Sequence, residues 1–276
     1  MSVSGLNSTE IGMSPKAYTI TLMKKAQFLI LTGGLLLALT NCDSHKHIRL
    51  SDGLEYEEYT YRSIRVSVLR VSPDRFRFEY HTSRKPMTPE EWLAATSSVA
   101  VINAGMYAED NFQHVGEVVF RNNRMPSIPM KGYQGIFAFD PRYPGFPKAA
   151  IFDLNCTPLT YIKQNYRSYI QNMRFTSCVD GEQLWHRWKK SHSMSILGQD
   201  SAGNILLIFT PSDISPRNFR ELLGNLGVGL KNSVYLEGGK EAGMAVEYGR
   251  FKFVGFSRGK PFPIPNVITV HPLKED

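Results

Sequence analysis

Val101-Ile102-Asn103-Ala104-Gly105-Met106-Tyr107 and Tyr235-Leu236-Glu237-Gly238-Gly239 each begin as a run of β-formers and break into a polar residue close to glycine. That is how a buried strand delivers a functional group to its exposed end. The flanking sequence carries the same signature. Ile64, Val66 and Val68 alternate with polar residues, as do Phe76, Phe78 and Tyr80, which predicts two half-buried strands. Further strands are expected at Val99–Ile102, Glu117–Arg121 with a turn at Asn122-Asn123, Gly135–Phe139, Ala149–Phe152 and Ser233–Leu236. Met194–Leu197 and Ile205–Phe209 flank the polar turn Gln199-Asp200-Ser201-Ala202-Gly203-Asn204 and read as a hairpin.

Helices are few. Thr88-Pro89-Glu90-Glu91 places a capping Thr, a proline at the first helical position and a Glu at the third. Ser215-Pro216 caps a second helix with Phe219, Leu222, Leu223 and Leu226 on one face, stopped by Gly227. Ile162, Tyr166, Tyr169 and Ile170 have helical spacing and predict a third. Many strands, few helices and hairpin links predict an α+β fold, a large, mostly antiparallel twisted sheet flanked by a few helices.

Met23-Lys24-Lys25, the apolar run Phe28 to Leu39 and Leu39-Thr40-Asn41-Cys42 follow the order of an export signal ending in a lipobox-like cysteine, although Asn41 stands where a small residue is usual. The run is short for a membrane span, which needs about 20 apolar residues. Residues 1–22 lack this logic and are expected to be a start-site artefact, residues 23–42 a lipoprotein-type signal, and Cys42 the lipidated residue. Polar, His-rich residues 43–51 read as a tether, and 52–276 as a single domain. The expected location is the bacterial cell envelope, on a membrane through the lipid.

Beyond Cys42 the chain has 29 basic and 24 acidic residues, a net +5 with no basic block, so nucleic acid is not an expected partner. Cys156 and Cys178 are expected to pair in an exported chain, two separate thiols being the alternative. The seven histidines show no zinc-type spacing, and no cofactor is implied. A carboxylate-bound Ca2+ or Mg2+ stays open, because oxygen ligands need no fixed spacing.

The ordered strings Asn103-Ala104-Gly105-Met106-Tyr107, Val115-Gly116, Gln171-Asn172-Met173-Arg174, Ser195-Ile196-Leu197-Gly198-Gln199-Asp200 and Tyr235-Leu236-Glu237-Gly238-Gly239 resemble the phosphodiester glycosidase family. That family includes the enzyme that removes N-acetylglucosamine from phosphomannose, together with many exported bacterial members. The resemblance implies a hydrolase that cleaves a GlcNAc-like sugar from a phosphodiester-linked glycan or envelope polymer. Two departures stand out. Glu237-Gly238-Gly239-Lys240-Glu241 replaces an Asp followed by Gly-Gly-Gly-Ser, and Met194 stands near a position where many members carry arginine.

Such a reaction builds positive charge on the sugar ring and expels a phosphomonoester, which calls for a carboxyl group at the anomeric carbon and donors on the phosphate. Glu237 is the expected acid/base or charge-stabilising residue, and Arg174 the expected phosphate clamp. Asn103 is expected to orient substrate or water, with Gly105 leaving room for the sugar. Gln171, Asn172, Asp200, Asp213, Gly238 and Gly239 complete the expected substrate-binding set. The competing reading is a non-catalytic carbohydrate-binding or polysaccharide-assembly lipoprotein that uses the same pocket. A third is an interaction scaffold, in which Asn103, Arg174 and Glu237 lie far apart.

Overall fold

The computed structural model describes residues 44–179 and 184–274, so the signal-like segment and Cys42 lie outside the described residues. In chain order come strands β1 (Ser44–Ser51), β2 (Leu54–Tyr61), β3 (Ile64–Val71) and β4 (Phe76–Met87), then helix α1 (Pro89–Thr96). Strand β5 (Ala100–Asn103) is followed by the short strands β6 (His114–Val115), β7 (Val118–Phe120), β8 (Asn123–Arg124) and β9 (Ser127–Ile128). Next come β10 (Gly135–Pro141), β11 (Ala149–Asp153), helix α2 (Leu159–Asn165) and β12 (Tyr166–Arg174). Strands β13 (His192–Asp200) and β14 (Ile205–Ile214), helix α3 (Pro216–Asn225) and β15 (Leu230–Gly238) follow. After a 3-10 turn at Gly239–Glu241, β16 (Gly243–Tyr248), β17 (Phe251–Phe256) and β18 (Ile264–Pro272) complete the order.

Two large antiparallel sheets result, beside a small parallel pair of β6 and β9. The larger has eleven strands in the order β1-β2-β3-β14-β13-β15-β12-β10-β11, with β7 attached at β12 and β8 at β7. The smaller runs β17-β16-β5-β18-β4. Leu69, Leu207, Phe137 and Leu236 from the first meet Phe78, Ile102, Met244 and Ile268 from the second in one buried cluster. This is the expected α+β domain, a large curled sheet with a few flanking helices.

Ile205–Phe209 shows why an unbroken apolar run belongs at the centre. Ile205, Leu207 and Phe209 face the inter-sheet core, while Leu206 and Ile208 face a second cluster under α3. A strand covered on both faces has no polar side to show. Helix α3 supplies Phe219, Leu222 and Leu223 to that second cluster, each burial contributing about 1.5–3 kcal/mol. Helix α1 forms as its sequence predicts. Thr88 Oγ1 accepts from Glu91 N at 3.3 Å, and Glu91 Oε2 accepts from Thr88 N at 2.7 Å. It lays Trp92 and Leu93 on Val101, Ala245 and Val267, the outer face of the smaller sheet.

Two expectations are corrected. Residues 44–51 are not a tether but strand β1, paired in register with β2 so that His45 opposes Tyr59 and stacks on its ring at 4.2 Å. Ile48 and Leu50, two residues apart, pack on the core from one face, and Asp52-Gly53 closes the hairpin with Gly53 at φ 74°. The predicted helix through Ile170 ends at Asn165. Tyr166 is extended (φ −124°, ψ 145°), and β12 pairs with β10, Ile170 opposite Phe137. Ile162, Tyr166 and Tyr169 do share an apolar cluster, but across a helix–strand junction.

Cys156 and Cys178 form a disulfide, Cα–Cα 6.4 Å. It closes a loop with sequence separation 22, so reduction is expected to lower unfolding free energy by about 3 kcal/mol in chemical denaturation. Among the described residues no helix is long and apolar enough to cross a membrane.

Candidate active site

Strand β15 ends at Glu237 and Gly238, beside β13, where Ser195 opposes Glu237 and Met194 opposes Gly238. One extra residue, Leu236, bulges between this rung and Ile196–Tyr235. A bulge of this kind re-aims a side chain at a strand end. The Glu237 carboxyl is partly covered, and its Oε1 accepts from Gly238 N at 3.0 Å. Burial pushes its pKa up to about 8, the Gly238 N–H opposes this, and neighbouring Glu241 adds to it. The direction of this shift favours the protonated carboxyl at neutral pH.

Three phenols lie close enough to feel its charge. Burial raises the pKa of Tyr107 to about 12, and Glu241 and Glu237 add to the effect. Tyr133 and Tyr235 are raised by burial and then by Glu237. Tyr235 Oη meets His192 Nε2 at 3.0 Å, and burial, then Lys190, holds that imidazole below its ordinary pKa. Gly238 must be glycine, because a Cβ there would overlap His192 and the Tyr235 hydroxyl. Lys240, on the turn after Glu237, places its ammonium 3.7 Å from Glu241 Oε1 and 4.6 Å from the Phe262 ring centroid.

The amide residues expected to touch substrate hold this cluster in place instead. Gln171 donates from Nε2 to the carbonyls of Met130 (3.1 Å) and Tyr133 (2.7 Å) and accepts from Glu117 N at 2.8 Å. It thereby fixes the loop that carries Tyr133. Asn172, 1% exposed, donates to Ala104 O at 3.0 Å and lies against Gly105, whose φ is 148°. The space that Gly105 was expected to leave for sugar is filled by Asn172 and His114. Asn103, 1% exposed, accepts from Gly243 N at 3.4 Å and fastens the end of β5 to the start of β16, while its Nδ2 has no partner. Met106 and Tyr107 follow in chain order, Tyr107 feeling the Glu237 charge and Met106 Sδ accepting from Tyr133 Oη at 3.1 Å.

Three expected residues lie apart. Arg174 Nη1 donates to Asp153 Oδ2 at 3.0 Å, and the same oxygen accepts from Cys178 N at 3.0 Å, so the guanidinium braces the disulfide. Its side chain is only 13% exposed, and the expected clamp is better described as a buried ion pair. Asp200 closes the β13–β14 turn through Ala202 N and Asn204 N and pairs with Arg70, at the far end of β13 from Ser195. Asp213 is exposed and paired with Arg258 at 2.7 Å, although its field reaches His192. Tyr107, Tyr133, His192 and Glu241 were not singled out in the sequence. Tyr107 and Glu241 stand inside or beside the quoted strings, whereas Tyr133 and His192 carry no local signal.

Two cavities of about 690 and 500 Å3 lie elsewhere, and Glu237 lines neither. The first is bordered by Arg62, Arg65 and Arg258, the second by Phe76, Phe120 and Phe139. The chemistry marks the Glu237 cluster over these larger spaces, because neither brings a carboxyl with so displaced a pKa together with several hydroxyls. Among the described residues, no three His, Cys, Asp or Glu ligand atoms converge on Glu237. Among the described residues, Glu79, His81 and His271 alone form such a set, on the smaller sheet.

The curated proteins contain no match. Among solved structures, a hypothetical protein from Synechocystis superposes with TM-score 0.59 at 13% identity, covering 82% of this chain, which spans 63% of that protein's length. The catalytic domain of zebrafish N-acetylglucosamine-1-phosphodiester alpha-N-acetylglucosaminidase, auto-inhibited by its pro-peptide, gives TM-score 0.55 at 12% identity, covering 83% of this chain and 88% of that one. A Burkholderia pseudomallei K96243 protein described as exported gives 0.51 at 10%, covering 78% and 74%. At such identities these likenesses establish the fold alone. The sequence model for phosphodiester glycosidase matches residues 96–271, which run from the end of α1 to β18 and take in Asn103, Glu237 and the strands between them, and on that match the chain belongs to the phosphodiester glycosidase family.

Proposed function

We propose that the protein is an envelope hydrolase that releases a GlcNAc-like sugar from a phosphodiester-linked glycan, with Glu237 as proton donor. The observation that carries this reading is the Glu237 carboxyl, raised to about 8 at a bulged strand end among three tyrosines. A protonated carboxyl can donate to the departing phosphate oxygen as the anomeric bond breaks, and then take the proton of the incoming water. Lys240, on the turn after Glu237, and His192, against Gly238 and Tyr235, take the phosphate role first expected of Arg174. Glu241 offers the second carboxyl that glycoside hydrolysis ordinarily uses. Tyr107 and Tyr133 present ring faces and hydroxyls suited to a sugar.

Family membership supports the hydrolase class, and the activity in the zebrafish protein's name motivates the GlcNAc-like choice. The signal-like segment, the disulfide and the exported Burkholderia relative support an envelope location. Lipidation at Cys42 remains part of this proposal. One observation favours the non-catalytic alternative: Met194, near the usual arginine, is fully buried among Phe175, Ile196 and Tyr235 and offers no charge.

Incubation with a GlcNAc-1-phosphodiester followed by 31P NMR tests the reading. A phosphomonoester resonance is expected, with kcat/KM falling as pH rises through about 8, because the active form is protonated Glu237. Saturable binding with an unchanged phosphodiester signal would establish the alternative.

A further inference from the structure

We propose that Glu79, His81 and His271 form a binding site for a divalent metal ion of the zinc class on the outer face of the smaller sheet. Their potential ligand atoms all lie within 4.8 Å of one another. Glu79 and His81 are two residues apart on β4, so they share a face. That face is the outer one, because the intervening Tyr80 belongs to the inter-sheet core. His271 comes from the adjacent strand β18, on the neighbouring rung opposite Arg77. Antiparallel pairing thus assembles a set that no linear spacing reveals.

The distances suit an ion. His81 Nε2 stands 3.3 Å and His271 Nε2 3.8 Å from Glu79 Oε2. Ligands about 2.0–2.1 Å from a tetrahedral zinc lie about 3.4 Å apart, close to the two Glu79 distances, while the imidazole pair, within 4.8 Å, closes onto the ion. The environment supplies two further observations. His81 Nε2 is shielded from solvent and, although Glu79 Oε2 lies 3.3 Å away, makes no well-formed hydrogen bond, a gap that coordination would fill. Glu79 is oriented from behind, its Oε1 accepting from Arg77 and Arg121 while Oε2 faces the imidazoles.

Two interactions oppose binding. His271 Nε2 meets Thr269 Oγ1 at 2.8 Å and must exchange that bond for the ion. The two guanidiniums repel a cation, although both sit on the far carboxylate oxygen. The gain is mechanical, because β4 is the edge strand of its sheet and the ion would staple it to β18. The three side chains leave a fourth position for water.

Cobalt(II) added to the metal-stripped full chain is the test, read by visible absorption and by the thermal midpoint. One equivalent is expected to give the intense d–d bands of a tetrahedral site and a raised midpoint, with zinc displacing the bands. Glu79→Gln and His81→Ala should each abolish the bands, while His45→Ala/His47→Ala should retain them. Absence of stoichiometric bands in the wild-type chain, or bands that survive His81→Ala and vanish with the His45/His47 pair, would overturn the proposal. Since the wild-type titration needs no variant to fold, it is decisive alone.

Discussion

Glu237→Gln is expected to lower kcat/KM on a GlcNAc-1-phosphodiester by about 10²–10⁴-fold, the usual contribution of a positioned general acid. The substitution keeps shape and removes the transferable proton. Activity within about threefold of wild type in a folded variant would remove Glu237 from the mechanism. The same variant carries a stability signature. Native Glu237 binds its proton up to about pH 8, whereas an unperturbed carboxyl releases it near 4.5. Between those values the native state holds more protons than the unfolded state, so its stability falls as pH rises. Glu237→Gln should abolish that decline and be the more stable protein at pH 9, by on the order of 2 kcal/mol after allowance for partial exposure. Denaturant curves at pH 5, 7 and 9 measure it. A coincident gain in stability and loss of turnover separates an active-site acid from a structural residue.

Arg174→Met is expected to destabilise the fold by about 3 kcal/mol and to leave kcat/KM within about threefold of wild type under conditions where the variant is folded. The cost arises because Asp153 loses its counter-charge in a buried site, although Asn155 N (2.9 Å) and Cys178 N (3.0 Å) still donate to it. Adding Asp153→Asn should recover part of the loss, because the unpaired charge is then gone. A phosphate clamp would behave oppositely, with stability nearly unchanged and catalysis reduced at least 10²-fold. Urea denaturation beside steady-state kinetics distinguishes them.

Much of the fold was legible because its strands and caps are local signals. The Ile205–Phe209 run, the Thr88 capping box and the Ser215-Pro216 cap each report their own backbone without reference to distant residues. The misread segments failed for physical reasons. Polar β1 looks like a tether because, at a sheet edge, most of its side chains face water, and only Ile48, Leu50 and the Asp52-Gly53 turn betray pairing. Ile162, Tyr166 and Tyr169 mimic a helical stripe because a short helix and a strand bury them in one cluster. At the site, Glu237 was visible from its strand end and glycines. Tyr133 and His192 were not, because Gln171 and Tyr235 bring them there through contacts far apart in sequence. Arg174 read as a phosphate clamp because sequence shows a cation but not the carboxylate waiting 3.0 Å away.

Strand β1 begins at Ser44, two residues beyond the cysteine proposed to bear lipid. Two residues of backbone reach about 7 Å at full extension, so an acylated protein would have almost no leash. Its first hairpin would rest against the headgroups, with the catalytic body unable to wander into the surrounding aqueous space. The polymers within its grasp would be those rooted in, or lying flat upon, the same bilayer.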